Sequence, residues 1–66
     1  SHRVMVSFVV EPNGSISNVK IVRGVDPNLD KEAMRVVGKM PKWKPGMQTG
    51  KPVRARFTLP VQFRLQ

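Results

Sequence analysis

The fold is decided by the stretch Pro52-Val53-Arg54-Ala55-Arg56-Phe57-Thr58-Leu59-Pro60-Val61-Gln62-Phe63-Arg64-Leu65-Gln66. Apolar residues occupy every odd position from Val53 to Leu65, and polar, charged or proline residues occupy the even ones. Because successive side chains of a strand point to opposite faces, this alternation predicts a long strand with one buried and one solvated face. The charged and amide side chains on the solvated face are Arg54, Arg56, Gln62 and Arg64.

Two prolines predict which side of this strand pairs with the sheet. Proline has no backbone N–H and is confined to edge strands, with its nitrogen turned away from the neighbouring strand. Pro52 and Pro60 are both even-numbered, so both turn the same side outward. Such an edge is either protected or used to dock another strand. The even residues whose backbones are predicted to face outward, as a candidate partner-binding edge, are Arg54, Arg56, Thr58 and Gln62.

The N-terminal third of the chain predicts a β-hairpin. Residues 3–10 alternate in the manner of a strand, and apolar Met5 and Val9 on its second face favour a central place in the sheet. The segment Glu11–Ser15 contains Pro and Asn-Gly and is typical of a turn. A second strand is predicted over Ile16–Arg23, antiparallel to the first.

One helix is predicted between the hairpin and the last strand. Asp26 before Pro27 is typical of an N-cap followed by proline at the first helical position, with Asn28 as a competing cap. Pro41 is expected to end the helix. The apolar residues that recur at helical spacing are Leu29, Ala33, Val36, Val37 and Met40.

The segment after the helix is predicted to be extended because its prolines exclude helical geometry. Trp43 is the single tryptophan of the chain, and its ring is predicted to close one end of the core together with neighbouring Pro45 and Gly46. Anchoring of a partner by the same ring is the alternative. Residues 47–51 are predicted as a flexible connection into the final strand.

These elements predict an α+β domain spanning residues 1–66. The order is β-β-α-β, with a three-stranded antiparallel sheet in the order 2-1-3 and one helix packed on one face. Ser1-His2 is expected to be left over from an expression vector. The chain is therefore expected to be an excised part of a longer protein.

Composition bears on the class of partner. Twelve Lys and Arg against four Asp and Glu give a formal net charge of +8, which attracts nucleic acid, anionic lipid or acidic protein. The charges are spread along the chain, which favours an ordinary solvated surface. A basic nucleic-acid-binding domain remains an alternative, but all three phenylalanines fall on the buried phase, so no base-stacking surface is predicted.

Catalysis is not predicted. The chain has no cysteine and a single histidine, His2, and its four acids have structural roles as turn, cap and helix-dipole residues. It contains no glycine-rich phosphate loop and no cluster of metal ligands. The sequence therefore predicts a non-enzymatic domain without cofactor or metal.

Five motifs of the chain carry a family resemblance when they are taken together. They are Phe8-Val9-Val10-Glu11-Pro12-Asn13-Gly14, Val19-Lys20-Ile21-Val22-Arg23, Leu29-Asp30-Lys31-Glu32-Ala33, Trp43-Lys44-Pro45-Gly46 and the terminal strand. In this order and spacing they resemble the C-terminal domain of TonB, and their wording is similar to TonB proteins of the Bacteroidetes type. The resemblance covers essentially the whole chain, and its specificity comes from the set in register, since each piece alone is weak.

The resemblance implies a periplasmic domain of an energy transducer that is anchored in the inner membrane and works with the ExbB–ExbD proton-driven motor. It implies binding of the TonB box of outer-membrane transporters, in the uptake of siderophores or other nutrients, by strand addition to the last strand. Carried over to this chain, that edge is the backbone of Arg54, Arg56 and Thr58, with Gln62 beyond the proline. An interaction module of another membrane signalling protein is the alternative.

The chain departs from the family pattern because the usual helix and Tyr-Pro segment before the first strand are missing. An N-terminally truncated domain of this kind is expected to leave some apolar sheet surface bare. A last strand of fifteen residues would also span roughly 50 Å. Both features make an intertwined or edge-to-edge homodimer an alternative to the monomer.

Overall fold

A computed structural model describes residues 2–64 and shows the predicted order of the main elements. β2, β1 and β5 form one antiparallel sheet in that spatial order, and β3 pairs with β4 in a small second sheet. The α+β class, the single helix and the central position of the first strand are thus confirmed. The elements are β1 (His2–Val10), β2 (Ile16–Arg23), α1 (Pro27–Gly38), β3 (Gly46–Gln48), β4 (Lys51–Val53) and β5 (Ala55–Phe63).

The hydrophobic core lies between β1 and the helix. Ala33 and Val37 of α1 are fully buried and pack on the sheet, and α1 approaches β2 and β1 more closely than β5. Val36 was predicted on the same stripe, but it is 39 % exposed and points away from the core. The buried stripe of the helix is therefore narrower than the sequence indicates. The fully buried core residues of β1 are Val4, Val6, Phe8 and Val10.

The helix begins as predicted and ends earlier than predicted. The Asp26 carboxylate accepts hydrogen bonds from the backbone N–H groups of Asn28 and Leu29 at 2.9 and 3.0 Å, so Asp26 and not Asn28 is the N-cap. The last helical residue is Gly38, before Pro41 is reached. Within residues 2–64 the structure contains no helix with the length and hydrophobicity needed to cross a bilayer.

The predicted continuous last strand is interrupted. Arg54 separates β4 from β5, and β4 folds back on β3 through a tight turn at Thr49 and Gly50. Both turn residues have positive φ, 52° and 75°, which is the backbone conformation that matches the twist of a two-residue hairpin. Residues 47–51, predicted as a flexible connection, therefore contain a two-residue hairpin turn flanked by paired strand residues. Arg64 follows β5 outside the strand, and residues 65–66 of the predicted strand lie outside the described residues.

The β1–β2 turn is fixed against the segment that carries Trp43. The Trp43 backbone N–H donates to the Gly14 carbonyl at 2.9 Å, and Gly14 has a φ of 89°. A Cβ atom at Gly14 would lie 2.5 Å from the Trp43 carbonyl oxygen, so glycine is required both by conformation and by space. This contact holds the indole against Phe8, with ring centroids 5.0 Å apart.

Two glycine-to-alanine substitutions should have opposite effects on the free energy of unfolding. Gly14→Ala should destabilise the domain by at least about 1–2 kcal/mol, because it forces a left-handed residue against backbone. Gly38→Ala, where nothing lies within 4 Å of the new Cβ, should stabilise α1 by about 0.5–1 kcal/mol. Urea unfolding of both variants measures this, and equal effects would contradict the close contact at Gly14.

Candidate functional site

The regular edge of the main sheet is β5. Its pairing with β1 runs without a register shift from His2–Phe63 to Val10–Ala55. Pro60 lies opposite Met5, and because proline has no N–H this pair cannot exchange two hydrogen bonds. Bonded and non-bonded pairs alternate along an antiparallel ladder. The even residues of β5 therefore turn their backbone groups away from β1, towards the edge.

The small hairpin leaves the same edge open. Pro52 lies opposite Met47, so it also occupies a pair that does not require its N–H. The odd residues of β4 turn their backbone groups towards β3, as the odd residues of β5 turn theirs towards β1. β3 therefore lies on the side of the chain that faces β1. A Cβ atom at Gly46 would lie 3.4 Å from the Ala55 Cβ, so β3 reaches the start of β5. No strand in residues 2–64 covers the outer side of β4 or β5.

The predicted site residues divide into two groups along this edge. Arg56, Thr58 and Gln62 lie in β5, are exposed, and have outward backbone groups by the parity just described. Arg54 lies in the break between β4 and β5, so it is not part of a regular strand. Pro60 offers only its carbonyl, and the outward donors of β5 therefore come from the other three residues.

The opposite edge of the sheet is irregular. β2 pairs with β1 through two register shifts, one between Met5 and Val6 and one between Ser7 and Val9. Asn18, inside β2, has a positive φ of 49°. Such bulges bend an edge strand and interrupt its row of donors and acceptors, which protects the edge from pairing with other chains. In the described part of the chain only β5 presents a straight edge.

Partly exposed apolar side chains run beside this edge, on the face that carries the helix. Phe57 is 36 % exposed, although the alternation of the sequence places it on the buried phase. The physical reason is that α1 lies over β1 and β2 and leaves β5 uncovered. Leu59, Val61 and Phe63 of the same face contact the core but are only half-buried. The expected bare apolar surface is thus found along β5.

Arg54 and Arg56, just before and within β5, are held by polar partners on β1, on β2 and in the turn between them. Arg54 Nε donates to the two Glu11 carboxylate oxygens at 3.0 and 3.2 Å, and the Ser17 hydroxyl donates to the same carboxylate. The hydrogen bond from Ser17, and then that from Arg54, hold the pKa of Glu11 below its ordinary value of 4.5. An Arg56 guanidinium N–H donates to Ser7 Oγ at 2.7 Å.

These contacts were missed by sequence reasoning. Arg54 and Glu11 are 43 residues apart, so no local pattern indicates their pairing. A signal was nevertheless present in the predicted strand order, which places the last strand beside the first. With β1 and the last strand antiparallel, the acid that follows the first strand falls near the arginines at the start of the last one.

Trp43 lies at one end of the core and is half-buried. Its ring meets Phe8 edge to face and lies 6.0 Å from the ring of Phe57. Pro45 is half-buried beside it, and Gly46 begins β3. These contacts account for Trp43 by packing, and they connect the core to the exposed ring of Phe57 at the edge.

The described residues contain no group of three His, Cys, Asp or Glu side chains that could hold a metal ion. Their functional geometry is instead that of an open strand with an apolar border on one face and arginines on the other. A family model described as Gram-negative bacterial TonB protein C-terminal matches residues 2–65. The chain belongs to the TonB C-terminal domain family. No curated protein and no solved structure gives a significant match.

Membership of the TonB family fixes the broad function. TonB C-terminal domains are periplasmic domains of Gram-negative bacteria. They are non-catalytic interaction domains of TonB-type energy transducers, and they interact with outer-membrane transporters. The resemblance carried by the sequence motifs is thereby confirmed over essentially the whole chain.

The contact between Glu11, Ser17 and Arg54 should give this TonB domain an acid-sensitive component of stability. Because the folded pKa of Glu11 is lowered, the stabilisation is complete above the ordinary pKa near 4.5. It is lost as the pH falls through the lower folded value. Glu11→Gln should therefore be less stable than the parent at pH 7, and the difference should shrink below pH 4.5.

Thermal unfolding of both proteins from pH 3 to 8 measures this difference. Ser17→Ala is the control, because it removes the largest cause of the lowered pKa and leaves the carboxylate in place. With Ser17→Ala the acid-induced loss should be smaller than in the parent and should be complete at a higher pH, because the folded pKa of Glu11 is lowered less. A difference between Glu11→Gln and parent that stays constant over the whole range would contradict the assignment.

Proposed function

We propose that this TonB domain binds an extended periplasmic segment of an outer-membrane transporter, its TonB box, by adding it as a strand to β5. The observation that carries the proposal is the contrast between the two edges of the sheet. β2 is interrupted by bulges, whereas β5 is nine residues of regular strand with no described neighbour on its outer side. Strand addition to an exposed edge is an established mode of peptide recognition.

The outward donors define where pairing is strongest. Arg56 and Thr58 are separated from Gln62 by Pro60, which has no N–H to offer a partner carbonyl. The first two residues therefore form the centre of the proposed site, and Gln62 extends it beyond the proline. Arg54 contributes at the border with β4 through its side chain and the Glu11 contact.

Side chains of the added strand would meet two different borders. On the helix side they would lie beside Phe57, Leu59 and Val61, which are only partly covered. On the opposite side they would lie beside Arg56 and Thr58. Main-chain bonds then supply much of the affinity, and the two borders favour a segment that alternates apolar with polar or acidic residues.

The mode of attachment suits the transmission of force. A strand that is pulled along its own length loads its backbone hydrogen bonds together rather than one after another. In the proposed assembly the parent protein is anchored in the inner membrane, and its N-terminal part receives energy from ExbB–ExbD. The domain then passes this energy to the transporter for nutrient uptake.

A second copy of the chain is the competing occupant of the same edge. Pairing of two β5 strands, or exchange of the last strand between chains, would give the homodimer expected as an alternative and would block the transporter segment. A nucleic acid fits less well, because Phe8, Trp43 and Phe57 pack against one another on the helix side of the sheet. Bases require exposed rings on which to stack.

Thr58→Pro should abolish peptide binding and leave the fold intact. The substitution removes an outward N–H at a position with the same parity as Pro52 and Pro60, so the ladder with β1 keeps its hydrogen bonds. Thr58→Val is the matched control, because it removes the hydroxyl and keeps the N–H. Backbone amide NMR, titrated with a peptide from a transporter's periplasmic N-terminus, should show shifts at Arg56, Thr58 and Gln62 in the parent and in Thr58→Val.

A second experiment leaves the protein unchanged. Two versions of the peptide are N-methylated at alternate residues, one on the odd and one on the even positions. Only one of the two sets of N–H groups can face β5, so one version should lose binding and the other should keep it. Equal binding by both versions would exclude strand addition. An apo sample whose relaxation shows a dimer would instead indicate that a second chain occupies the edge.

A further inference from the structure

The face of the main sheet opposite the helix carries a cluster of cations, of which only Arg56 also borders the proposed strand-addition site. We call this the open face; it includes the odd-numbered residues of β1 and the even-numbered residues of β5. Lys20 and Arg23 of β2 share it, because they lie opposite Ser7 and Met5. Four exposed cations lie on this face, and they are Arg3, Lys20, Arg23 and Arg56.

These cations have no acidic partner in the described part of the chain. The ion pairs found there join Arg35 to Glu32 and Arg54 to Glu11. The remaining acids, Asp26 and Asp30, are engaged at the start of α1, where Asp26 caps the helix and Asp30 accepts the Val25 N–H at 2.9 Å. The open face therefore carries a net positive charge that is spread over three strands, and the Asp30 carboxylate lies next to it at Gly24 and Val25.

The side chain of Arg56 lies across this face. Ser7 and Val9 are each 2 % exposed although no helix covers them. Arg56 reaches over β1 to the Ser7 hydroxyl, which explains part of this cover and fixes the position of its guanidinium. The guanidinium of Arg56 is thus held close to the surface of the sheet.

One end of the open face contains a shallow depression of about 450 Å³. Two arginines, Arg3 and Arg23, are among its lining residues, and no acidic residue is. Arginine pairs of this kind match phosphate oxygens in charge and geometry. Apolar side chains lie beside them. Val25 lines the depression and is 44 % exposed, and Val22, next to Arg23 in β2, is 60 % exposed.

We propose that the open face docks on an anionic membrane surface, with a lipid phosphate in the depression between Arg3 and Arg23. Cations spread in two dimensions match the array of headgroups on a bilayer, and exposed valines next to arginine match the boundary between headgroups and acyl chains. An added strand at β5 lies in the plane of the sheet, so the proposal goes beyond transporter binding and is compatible with it. An acidic peptide or a nucleic-acid backbone would also match the cations, and the exposed valines beside them are what favours a bilayer surface.

The test compares two variants that each lose two positive charges. Arg3→Gln/Arg23→Gln changes the depression, whereas Lys31→Gln/Lys39→Gln changes exposed residues of α1 and the residue that follows it. Binding is measured by co-sedimentation with phosphatidylcholine vesicles, with and without about one third phosphatidylglycerol, at 50 and 150 mM salt. The parent should bind the anionic vesicles only, and more weakly at higher salt.

The open-face variant should lose roughly tenfold to thirtyfold in vesicle affinity, and the helix variant less than about twofold. Equal losses in the two variants would mean that net charge alone attracts the domain and would overturn the proposal. The absence of binding to anionic vesicles would also overturn it. So would NMR shifts of Arg3 and Arg23 that are as large with inorganic phosphate alone as with anionic vesicles. A stronger response to an acidic peptide or an oligonucleotide would assign the face to that partner instead.

Both variants should still bind the strand-forming peptide at β5. This measurement separates the two proposals and also shows that each variant is folded. Loss of vesicle binding with retained peptide binding supports docking of the open face. If the parent does not bind the peptide, strand addition is overturned. The vesicle measurements then test the docking of the open face independently.

Discussion

The burial of β1 is the interaction on which the rest of the domain depends. This strand pairs on both sides, with β2 and β5, and its helix-side residues supply four of the fully buried side chains of the core. β5 has no other strand to rest on in the main sheet. Its position, its register and therefore the direction in which its backbone groups point all follow from the ladder with β1.

A sheet of three strands has two edge strands, and those of this domain differ in the regularity of their pairing with β1. The bulges in β2 shorten the runs over which another strand could pair, and exposed Lys20 and Arg23 lie along them. β5 has no bulge, and its proline removes one outward N–H without breaking the ladder. The asymmetry is one of backbone regularity more than of composition. Of the two edges, β5 therefore offers the longer uninterrupted run of backbone donors and acceptors.

Much of this fold can be predicted from the sequence because its signals are local. The alternation in residues 55–63, the turn around Gly14 and the Asp26-Pro27 cap each act within a few residues. The exposure of Val36 was missed because it depends on how far α1 extends over the sheet, which is a tertiary quantity. The hairpin of β3 and β4 was missed because three-residue strands are too short to show a period, and Thr49 is an unusual residue for positive φ. The ion pair between Glu11 and Arg54 joins residues that are far apart in the sequence, so no periodic pattern indicates it.

The break at Arg54 also divides the molecule into parts of unequal cooperativity. β3 and β4 form an isolated two-stranded hairpin, an arrangement that is marginally stable by itself in water. β5 is secured along its whole length by a buried neighbour. Local opening of the hairpin therefore requires less free energy than global unfolding, and its amides should exchange with solvent while the β1–β5 amides remain protected. The chain thus contains a hairpin that opens locally next to a strand that stays paired, and the ion pair of Arg54 and Glu11 lies at the boundary between them.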